Sequence, residues 1–169
     1  TGVLVPEDQG GLGFGFVEVG TLTPRPQPGN PRPRMVRLPE DGAIVNRMGF
    51  NNRGMDYAAK RLAGRKGGGV LGVNIGANKT SADRVGDYRL AYGKLAPFAD
   101  YVAINVSSPN TPDLRRLQER EELHRLLSAL AEARAACPKP LLLKIAPDID
   151  DAGLDGIAEE TTAAGLDGL

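Results

Sequence analysis

The chain has little of the residues that build disulfide frameworks and histidine-based active sites. It has one cysteine, Cys137, and one histidine, His124, among 169 residues. A single cysteine excludes an internal disulfide framework and agrees with a reducing compartment. His124 lies among acidic and basic side chains of a helical stretch, so we interpret it as a solvated surface residue and not as a catalyst. We predict no metal site.

Excess charge and long apolar runs are also missing. Lysine plus arginine and aspartate plus glutamate both number 21, so the formal net charge is zero and no nucleic-acid partner is indicated. No apolar run approaches the length of a membrane span. The 41% hydrophobic and 25% charged residues are typical of a soluble globular protein. We predict one domain over residues 1–169.

Short apolar runs alternate with helical patterns along the chain. The predicted strands cover residues 15–20, 71–76, 101–107 and 141–146, and a further strand begins within 165–169. The predicted helices cover residues 81–98, the stretch from 114 onward with leucines three and four apart, and residues 148–164. Strands that are apolar on both faces, each followed by a helix, indicate a parallel sheet covered by helices. The pattern alone leaves open a doubly wound sheet or a closed (β/α)8 barrel.

One stretch, residues 20–46, is rich in proline and arginine and interrupts this alternation. A polyproline linker, or a ligand for a proline-binding domain, is one interpretation. Its second half reads MVRLPEDGAIVN, which predicts two short strands around a turn at Glu40, Asp41 and Gly42. We therefore predict a β-hairpin excursion over one end of the main sheet.

Polar side chains crowd the ends of the predicted strands. Residues 105–111 alone contain five of them, where a plain turn needs one or two. The strand-end residues are Thr21, Asn74, Asn105, Ser107, Ser108 and Lys144. The carboxyl ends of parallel strands share one face, which is where such folds bind ligands. The residues predict a site for a flat, polar, anionic ligand, with a structural salt bridge as the alternative role of Lys144.

Several stretches resemble one known family, in its order and at its spacing. They are GFGFVEVGTLTPRPQPGNPRPRMVRLPEDGAIVNRMGFNNRGMD, LGVNIGANKTS, DYVAINVSSPNTP, NVSSPNTPDLRRLQ and LLLKIAPD. The family is that of the dihydroorotate dehydrogenases, and the resemblance is to its class 2, quinone-dependent branch. It implies an α/β fold, the (β/α)8 TIM barrel, with FMN at the C-terminal face. It also implies oxidation of dihydroorotate to orotate in pyrimidine biosynthesis.

The resemblance assigns roles to residues by their position in the motifs. Ser108 matches the catalytic base, and a serine there, where class 1 relatives have cysteine, points to class 2. Thr111 is a candidate for a proton relay through a water. The implied substrate contacts are Asn105 and Asn110, together with a lip formed by Asn46, Arg47, Met48, Gly49 and Phe50 within the inserted loop 21–50. The implied FMN contacts are Thr21, Asn74, Asn105 and Lys144.

The resemblance also implies which part of the barrel the chain covers. We expect about strands 2 to 5 and the start of strand 6, with the first strand, the phosphate-binding loops and the helical extension toward the membrane outside it. A peripheral membrane protein is implied, on the cytoplasmic side of a bacterial cell membrane or at the mitochondrial inner membrane, with the bacterial setting favoured. The alternatives are an inactive truncated fragment, or a related FMN barrel that uses fumarate or NAD. We expect no activity from the chain by itself.

Overall fold

The computed structural model describes residues 13–66, 68–111 and 113–169. The strands are β1 (Phe16–Leu22), β2 (Met35–Leu38), β3 (Ala43–Asn46), β4 (Val70–Ile75), β5 (Tyr101–Asn105) and β6 (Leu141–Lys144). The α-helices are α1 (Met55–Ala63), α2 (Arg84–Leu95), α3 (Arg120–Ala136) and α4 (Asp151–Ala163). Two short 3-10 helices, Ala96–Phe98 and Leu114–Gln118, lie next to α2 and α3.

The main sheet has four parallel strands in the order β1-β4-β5-β6. The chain adds each strand beside the previous one and never reverses, which is the progression of a barrel and not of a doubly wound sheet. Next to β6, Gly168 forms a parallel bridge with Leu142, and its carbonyl oxygen accepts a hydrogen bond of 3.0 Å from the Leu143 N–H. The prediction that another strand begins within residues 165–169 is therefore confirmed.

The hydrophobic core lies between the helices and one face of this sheet. The leucines predicted to form a stripe on α3 are all buried there: Leu123, Leu126, Leu127 and Leu130. Tyr88 and Tyr92 of α2 fill the space against them, together with Val73 and Ile75 of β4 and Val102 and Ile104 of β5. Fully burying one leucine side chain stabilises the fold by about 1.5–3 kcal/mol. Glu18 and Tyr101 lie on the other face of the sheet, which points away from the helices and which we call the inner face.

Strands β2 and β3 form the predicted hairpin. They pair antiparallel with Val36 opposite Val45, and the turn closes through a hydrogen bond of 3.2 Å from the Gly42 N–H to the Pro39 carbonyl oxygen. All eight strand residues are exposed. The polyproline interpretation is therefore wrong for this half of the excursion.

Several predicted boundaries differ from the structure. Strand β1 continues through Leu22, so Thr21 lies inside a strand and not after it. Helix α2 begins at Arg84 and not near residue 81, because the Asp83 side chain caps it by accepting a hydrogen bond of 2.8 Å from the Gly86 N–H. The helix predicted from residue 114 is two helices, since Glu119 between them is extended.

Helix α1 has no counterpart among the predicted elements. It has only nine residues and follows Gly54, whose φ of +83° is outside the helical range. A helix this short is marginal by itself, and α1 is stabilised by burying Ala58, Ala59 and Leu62 in the core. None of the helices in the described part of the chain combines the length and apolar character needed to cross a bilayer.

Candidate active site

Five of the predicted strand-end residues are joined by hydrogen bonds, and we call them the strand-end cluster: Thr21, Asn74, Asn105, Ser107 and Lys144. The Lys144 ammonium donates to Ser107 Oγ at 2.9 Å, and this hydroxyl donates to Asn105 Oδ1 at 2.8 Å. Asn105 Nδ2 then donates to Thr21 Oγ1 at 2.8 Å. The prediction that these residues meet at one face is confirmed as geometry.

The chain of hydrogen bonds continues onto the inner face of the sheet. Thr21 Oγ1 donates to Asn74 Oδ1 at 2.7 Å, and Asn74 Nδ2 donates to Glu18 Oε1 at 2.8 Å. The second carboxylate oxygen of Glu18 accepts a hydrogen bond of 3.0 Å from the Tyr101 hydroxyl. Glu18 and Tyr101 were not among the predicted site residues.

The strands β1 and β4 approach closely at this point, and Gly20 makes the approach possible. Its φ is +139°, and a Cβ at this position would overlap the Asn74 carbonyl oxygen. A side chain here would push β1 away from β4 and separate Thr21 from Asn74. The sequence therefore places its glycine where the two polar strand ends must touch.

Lys144 ends β6 with its side chain exposed. None of the ion pairs in the described part of the chain includes it. The structural salt bridge considered as an alternative is therefore not found there. Among the described residues no carboxylate neutralises this positive charge, so it can attract an anionic group.

The loop after β5 buries the hydroxyl groups predicted to do chemistry. Ser108 is 9% exposed, and its Oγ accepts a hydrogen bond of 3.3 Å from the Asn110 N–H. Thr111 is 3% exposed, and its Oγ1 has no hydrogen-bond partner among the residues that the structure describes. Leaving a hydroxyl unsatisfied costs about 1–3 kcal/mol. Thr111 Oγ1 is therefore the atom of this loop that a water or ligand atom would satisfy.

A side chain that sequence reasoning missed braces the same loop from outside. Arg115 Nε donates to the Ser107 carbonyl oxygen at 3.3 Å, and its Nη1 pairs with Asp148 at 2.9 Å. The hydrogen bond from Arg115 holds the pKa of Asp148 below its ordinary value. The arginine thus links the loop after β5 to the segment that leads from β6 into α4.

The lip, residues 46–50, divides into two parts. Gly49 is buried, and Phe50 packs against the core with its ring beside the Thr21 methyl group, both over Gly76. Asn46 and Arg47 are exposed, and the Arg47 guanidinium donates to the Pro33 carbonyl oxygen at 2.9 and 3.1 Å. The structure thus brings Phe50 to the strand-end cluster, whereas the Arg47 side chain is engaged within the excursion.

Phe50 adopts a left-handed backbone conformation with a φ of +55°. Such a conformation costs about 1–3 kcal/mol outside glycine and persists only where neighbours impose it. Asn52 imposes it here, because its Nδ2 donates to the Phe50 carbonyl oxygen at 2.8 Å and its Oδ1 accepts from the Gly54 N–H at 2.8 Å. Sequence reasoning also missed Asn52, whose partners are set by this turn.

Asn30 connects the lip to the loop after β5. Its Nδ2 donates to the Arg47 carbonyl oxygen at 3.0 Å and to the Asn110 carbonyl oxygen at 3.1 Å. Its Oδ1 accepts from Lys79 Nζ at 3.0 Å. In the sequence Asn30 stands between a glycine and a proline, a context typical of a turn, and nothing local indicates the contact with Asn110.

The chain is similar to proteins of one known family. A family model described as dihydroorotate dehydrogenase matches residues 7–169. A protein named dihydroorotate dehydrogenase (quinone) from Rhodospirillum rubrum is 59% identical over 162 residues, which are 94% of this chain and 44% of that protein. One of the same name from Mesorhizobium japonicum is 56% identical over 168 residues, 98% of this chain and 47% of that protein. The chain spans about half the length of these curated relatives.

Two solved structures of DHODH from Eimeria tenella have the same fold. The complex with ferulenol has a TM-score of 0.91 and 40% identity, and the match covers 97% of this chain and 51% of that one. The ligand-free form has a TM-score of 0.83 and 42% identity, with 92% and 51% covered. These proteins are TIM barrels, and the four consecutive parallel strands found here are part of such a barrel. With the family model matched over residues 7–169 and both relatives more than half identical, the chain belongs to the dihydroorotate dehydrogenase family.

Proposed function

We propose that the protein carrying this chain oxidises dihydroorotate to orotate in pyrimidine biosynthesis, with FMN as hydride acceptor and a quinone as final electron acceptor. The chain contributes the central part of the active site. One observation carries the proposal: a lysine without a described carboxylate partner ends a continuous hydrogen-bonded cluster, beside a loop that buries Ser108. The names of the quinone-dependent relatives support the same reaction.

The strand-end cluster fits the polar ring system of a flavin. It offers an ammonium group, two side-chain amides and two hydroxyls, which are the groups that hydrogen-bond ring carbonyl and ring nitrogen atoms. Thr21, Asn74, Asn105 and Lys144 would hold FMN, and Lys144 would favour an anionic group beside it. When bound, FMN supplies the hydride acceptor and passes the electrons on to the quinone.

Ser108 is proposed as the base of the reaction. Forming the double bond of orotate requires loss of a proton from one ring carbon and of a hydride from its neighbour. Ser108 Oγ takes the proton, and a serine hydroxyl is an effective base only if its own proton moves onward. We propose that the buried Thr111 hydroxyl, which has no described partner, relays that proton through one water and passes its own proton on toward solvent.

Asn105 and Asn110 are proposed to orient the substrate, with different freedom. Asn105 already donates one amide hydrogen to Thr21, and its oxygen accepts from both the N–H and the hydroxyl of Ser107. A side-chain amide has two hydrogens, so Asn105 has one left for a ligand. Within the part of the chain that the structure describes, Asn110 forms hydrogen bonds only through its backbone, so its side-chain amide is available.

The lip is proposed to cover the substrate, with Gly49 and Phe50 nearest to the ring and Asn46, Arg47 and Met48 at the outer margin. Phe50 would exclude water from above the strand-end cluster, since its ring already lies beside Thr21. Because quinones reside in membranes, we propose peripheral association with the cytoplasmic face of a bacterial cell membrane. The bacterial sources of the two relatives support this setting.

The test uses the protein from the complete open reading frame that carries this chain. We expect it to purify with a flavin absorption spectrum and, in anaerobic stopped-flow, to lose the oxidised-flavin absorbance when mixed with dihydroorotate. Steady-state assays with a soluble quinone, fumarate and NAD as oxidants should show turnover with the quinone. Flavin-loaded protein that dihydroorotate does not reduce would overturn the proposal, and turnover with fumarate or NAD alone would assign a related FMN barrel dehydrogenase.

A further inference from the structure

The inner face of the sheet, beneath the strand-end cluster, holds a carboxylate that none of the proposed steps uses. Glu18 lies on β1 opposite Gly72 of β4. The Tyr101 ring occupies the space that a side chain at position 72 would need, which lets its hydroxyl reach Glu18 Oε2 at 3.0 Å. Glu18 is thus bonded on both oxygens, to Tyr101 and to Asn74.

All the hydrogen bonds between Lys144 and Glu18 run in one direction. The ammonium of Lys144 can only donate and a carboxylate can only accept, so the two ends fix every group between them. Ser107 and Thr21 each accept from the Lys144 side and donate toward Glu18. Asn105 and Asn74 each turn the amide oxygen toward the Lys144 side and the amide nitrogen toward the Glu18 side.

Glu18 therefore decides which way the Asn74 amide points, whereas the N–H and hydroxyl of Ser107 already hold the amide oxygen of Asn105. If nothing accepted from Asn74 Nδ2, its amide could rotate and present nitrogen to Thr21. Thr21 Oγ1 would then face amide hydrogens from both Asn74 and Asn105, and its own hydrogen would have no acceptor. The second amide hydrogen of Asn74 and the Thr21 hydroxyl, which the proposed function assigns to FMN, would lose their fixed directions.

We propose that Glu18 is a positioning residue, whose carboxylate holds the Asn74 amide and, through Asn74, the Thr21 hydroxyl in the orientation that presents them to the flavin. The inference rests on the proposed function of the strand-end cluster. It assigns to Glu18 no contact with the ligand and no share in proton transfer.

The second bond of Glu18 supports this assignment. Burial, and then the charge and hydrogen bond of Glu18, raise the pKa of Tyr101 to about 12. Tyr101 thus remains a protonated donor at neutral pH, and in the structure it donates to Oε2. One carboxylate oxygen of Glu18 therefore accepts from Tyr101, and the other is left to accept from Asn74.

The experiment compares two replacements of equal length in the full-length protein. Glu18→Gln keeps a carbonyl oxygen for Asn74, whereas Glu18→Met has none. Apoprotein is titrated with FMN, and the dissociation constant is read from quenching of flavin fluorescence. We expect Glu18→Met to weaken FMN binding about tenfold, as loss of one or two oriented hydrogen bonds implies, and Glu18→Gln to stay within about threefold of the parent.

Tyr101→Phe is the matched control, because it removes only the bond to Oε2. We expect its FMN affinity to stay within about twofold of the parent. If Tyr101→Phe weakens FMN as much as Glu18→Met, or if Gln is no better than Met, Glu18 acts through packing and the proposal is overturned. It is likewise overturned if Glu18→Met lowers the melting temperature of the apoprotein and leaves FMN affinity unchanged.

A second pair keeps the test decisive if Glu18→Met does not fold. Asn74→Asp sets two carboxylates against each other, and adding Glu18→Gln restores a donor–acceptor pair while Thr21 keeps its acceptor. Partial recovery of FMN affinity over Asn74→Asp alone is expected in the double variant, because the Thr21 hydroxyl is held again while the amide hydrogens of Asn74 remain lost, and no recovery overturns the proposal. These affinities do not depend on turnover, so a parent protein that binds FMN but ignores dihydroorotate would refute the proposed function and leave the inference on Glu18 standing.

Discussion

The strand-end cluster includes the end of β1, and the β2–β3 hairpin follows β1 in the chain, but the two regions hold their residues in different ways. In the cluster every polar side chain has a hydrogen-bond partner, and the five side chain–side chain bonds from Lys144 to Glu18 are 2.7 to 2.9 Å long. In the hairpin every strand residue is exposed, and Val45 reaches 58%. The cluster is organised before any ligand arrives, whereas the hairpin is fixed mainly at its base.

This difference separates residues that can bind and react with a ligand from residues that can shield the bound ligand from water. Preorganised donors need no rearrangement when a ligand binds, and their effect on a reaction is correspondingly large. A hairpin held at its base contributes through the residues at that base, which here are Gly49 and Phe50. We therefore expect substitutions to lose effect in the order from the loop after β5, through the cluster and its connection to the lip, to the hairpin strands.

The largest effect is expected from Ser108→Ala. The change removes the proposed base and leaves every hydrogen bond of the cluster intact, so FMN should remain bound. Reduction of the flavin by dihydroorotate, followed anaerobically by stopped-flow, should slow by about 10²–10⁴-fold. A rate within a few-fold of the parent would show that Ser108 is not the base.

The next effect is expected from Lys144→Met, which removes the charge and keeps most of the side-chain length. A hydrogen bond from a charged group is worth about 1.5–3 kcal/mol, so the dissociation constant of FMN should rise by about tenfold to a hundredfold. Fluorescence titration measures this dissociation constant, and the flavin content after gel filtration shows how much FMN the variant retains. Full flavin content and normal turnover, together with a lower melting temperature, would instead favour a structural role for Lys144.

Asn30→Ala should act on the lip and spare the flavin. It removes the two hydrogen bonds that tie Arg47 and Asn110 together, so the KM for dihydroorotate should rise roughly tenfold while FMN affinity changes little. Lys79→Met is the control, because it removes only the bond to the Asn30 Oδ1 atom. If the two variants behave alike, the contact between the lip and the loop after β5 is not what Asn30 contributes.

Sequence reasoning found the cluster because the rule that locates it is general. Parallel strands end at the same face, so Thr21, Asn74, Asn105 and Lys144 had to meet once the strands were placed. It did not find Glu18, which precedes the end of β1 by several residues and acts through the face of the sheet. Contacts such as Asn30 with Asn110 join residues far apart in the chain, and no local pattern encodes them.

The fold likewise has elements that a general rule predicts and elements that no local pattern indicates. The stripe of leucines on α3 predicted a buried helix, since burial imposes a period of 3.6 residues on the sequence. Helix α1 was missed because it has only nine residues, so its amphipathic pattern covers only about two and a half turns. The helical stretch is interrupted at Glu119 because this residue has an extended backbone conformation. Glutamate favours helices, so the residue type at this position does not predict the interruption.

The smallest effect is expected from Val45→Thr in the hairpin, and the same change at Val102 of β5 is its matched control. Val45 is exposed, so a hydroxyl there meets water, and FMN affinity and the KM for dihydroorotate should both stay within about twofold of the parent. Val102 is fully buried in the core, so the same hydroxyl would be unsatisfied and should lower the free energy of unfolding by about 1–3 kcal/mol. Denaturant unfolding and the two binding measurements test both positions. If Val45→Thr raises the KM tenfold, the exposed face of the hairpin belongs to the substrate site, and the contrast between hairpin and cluster fails.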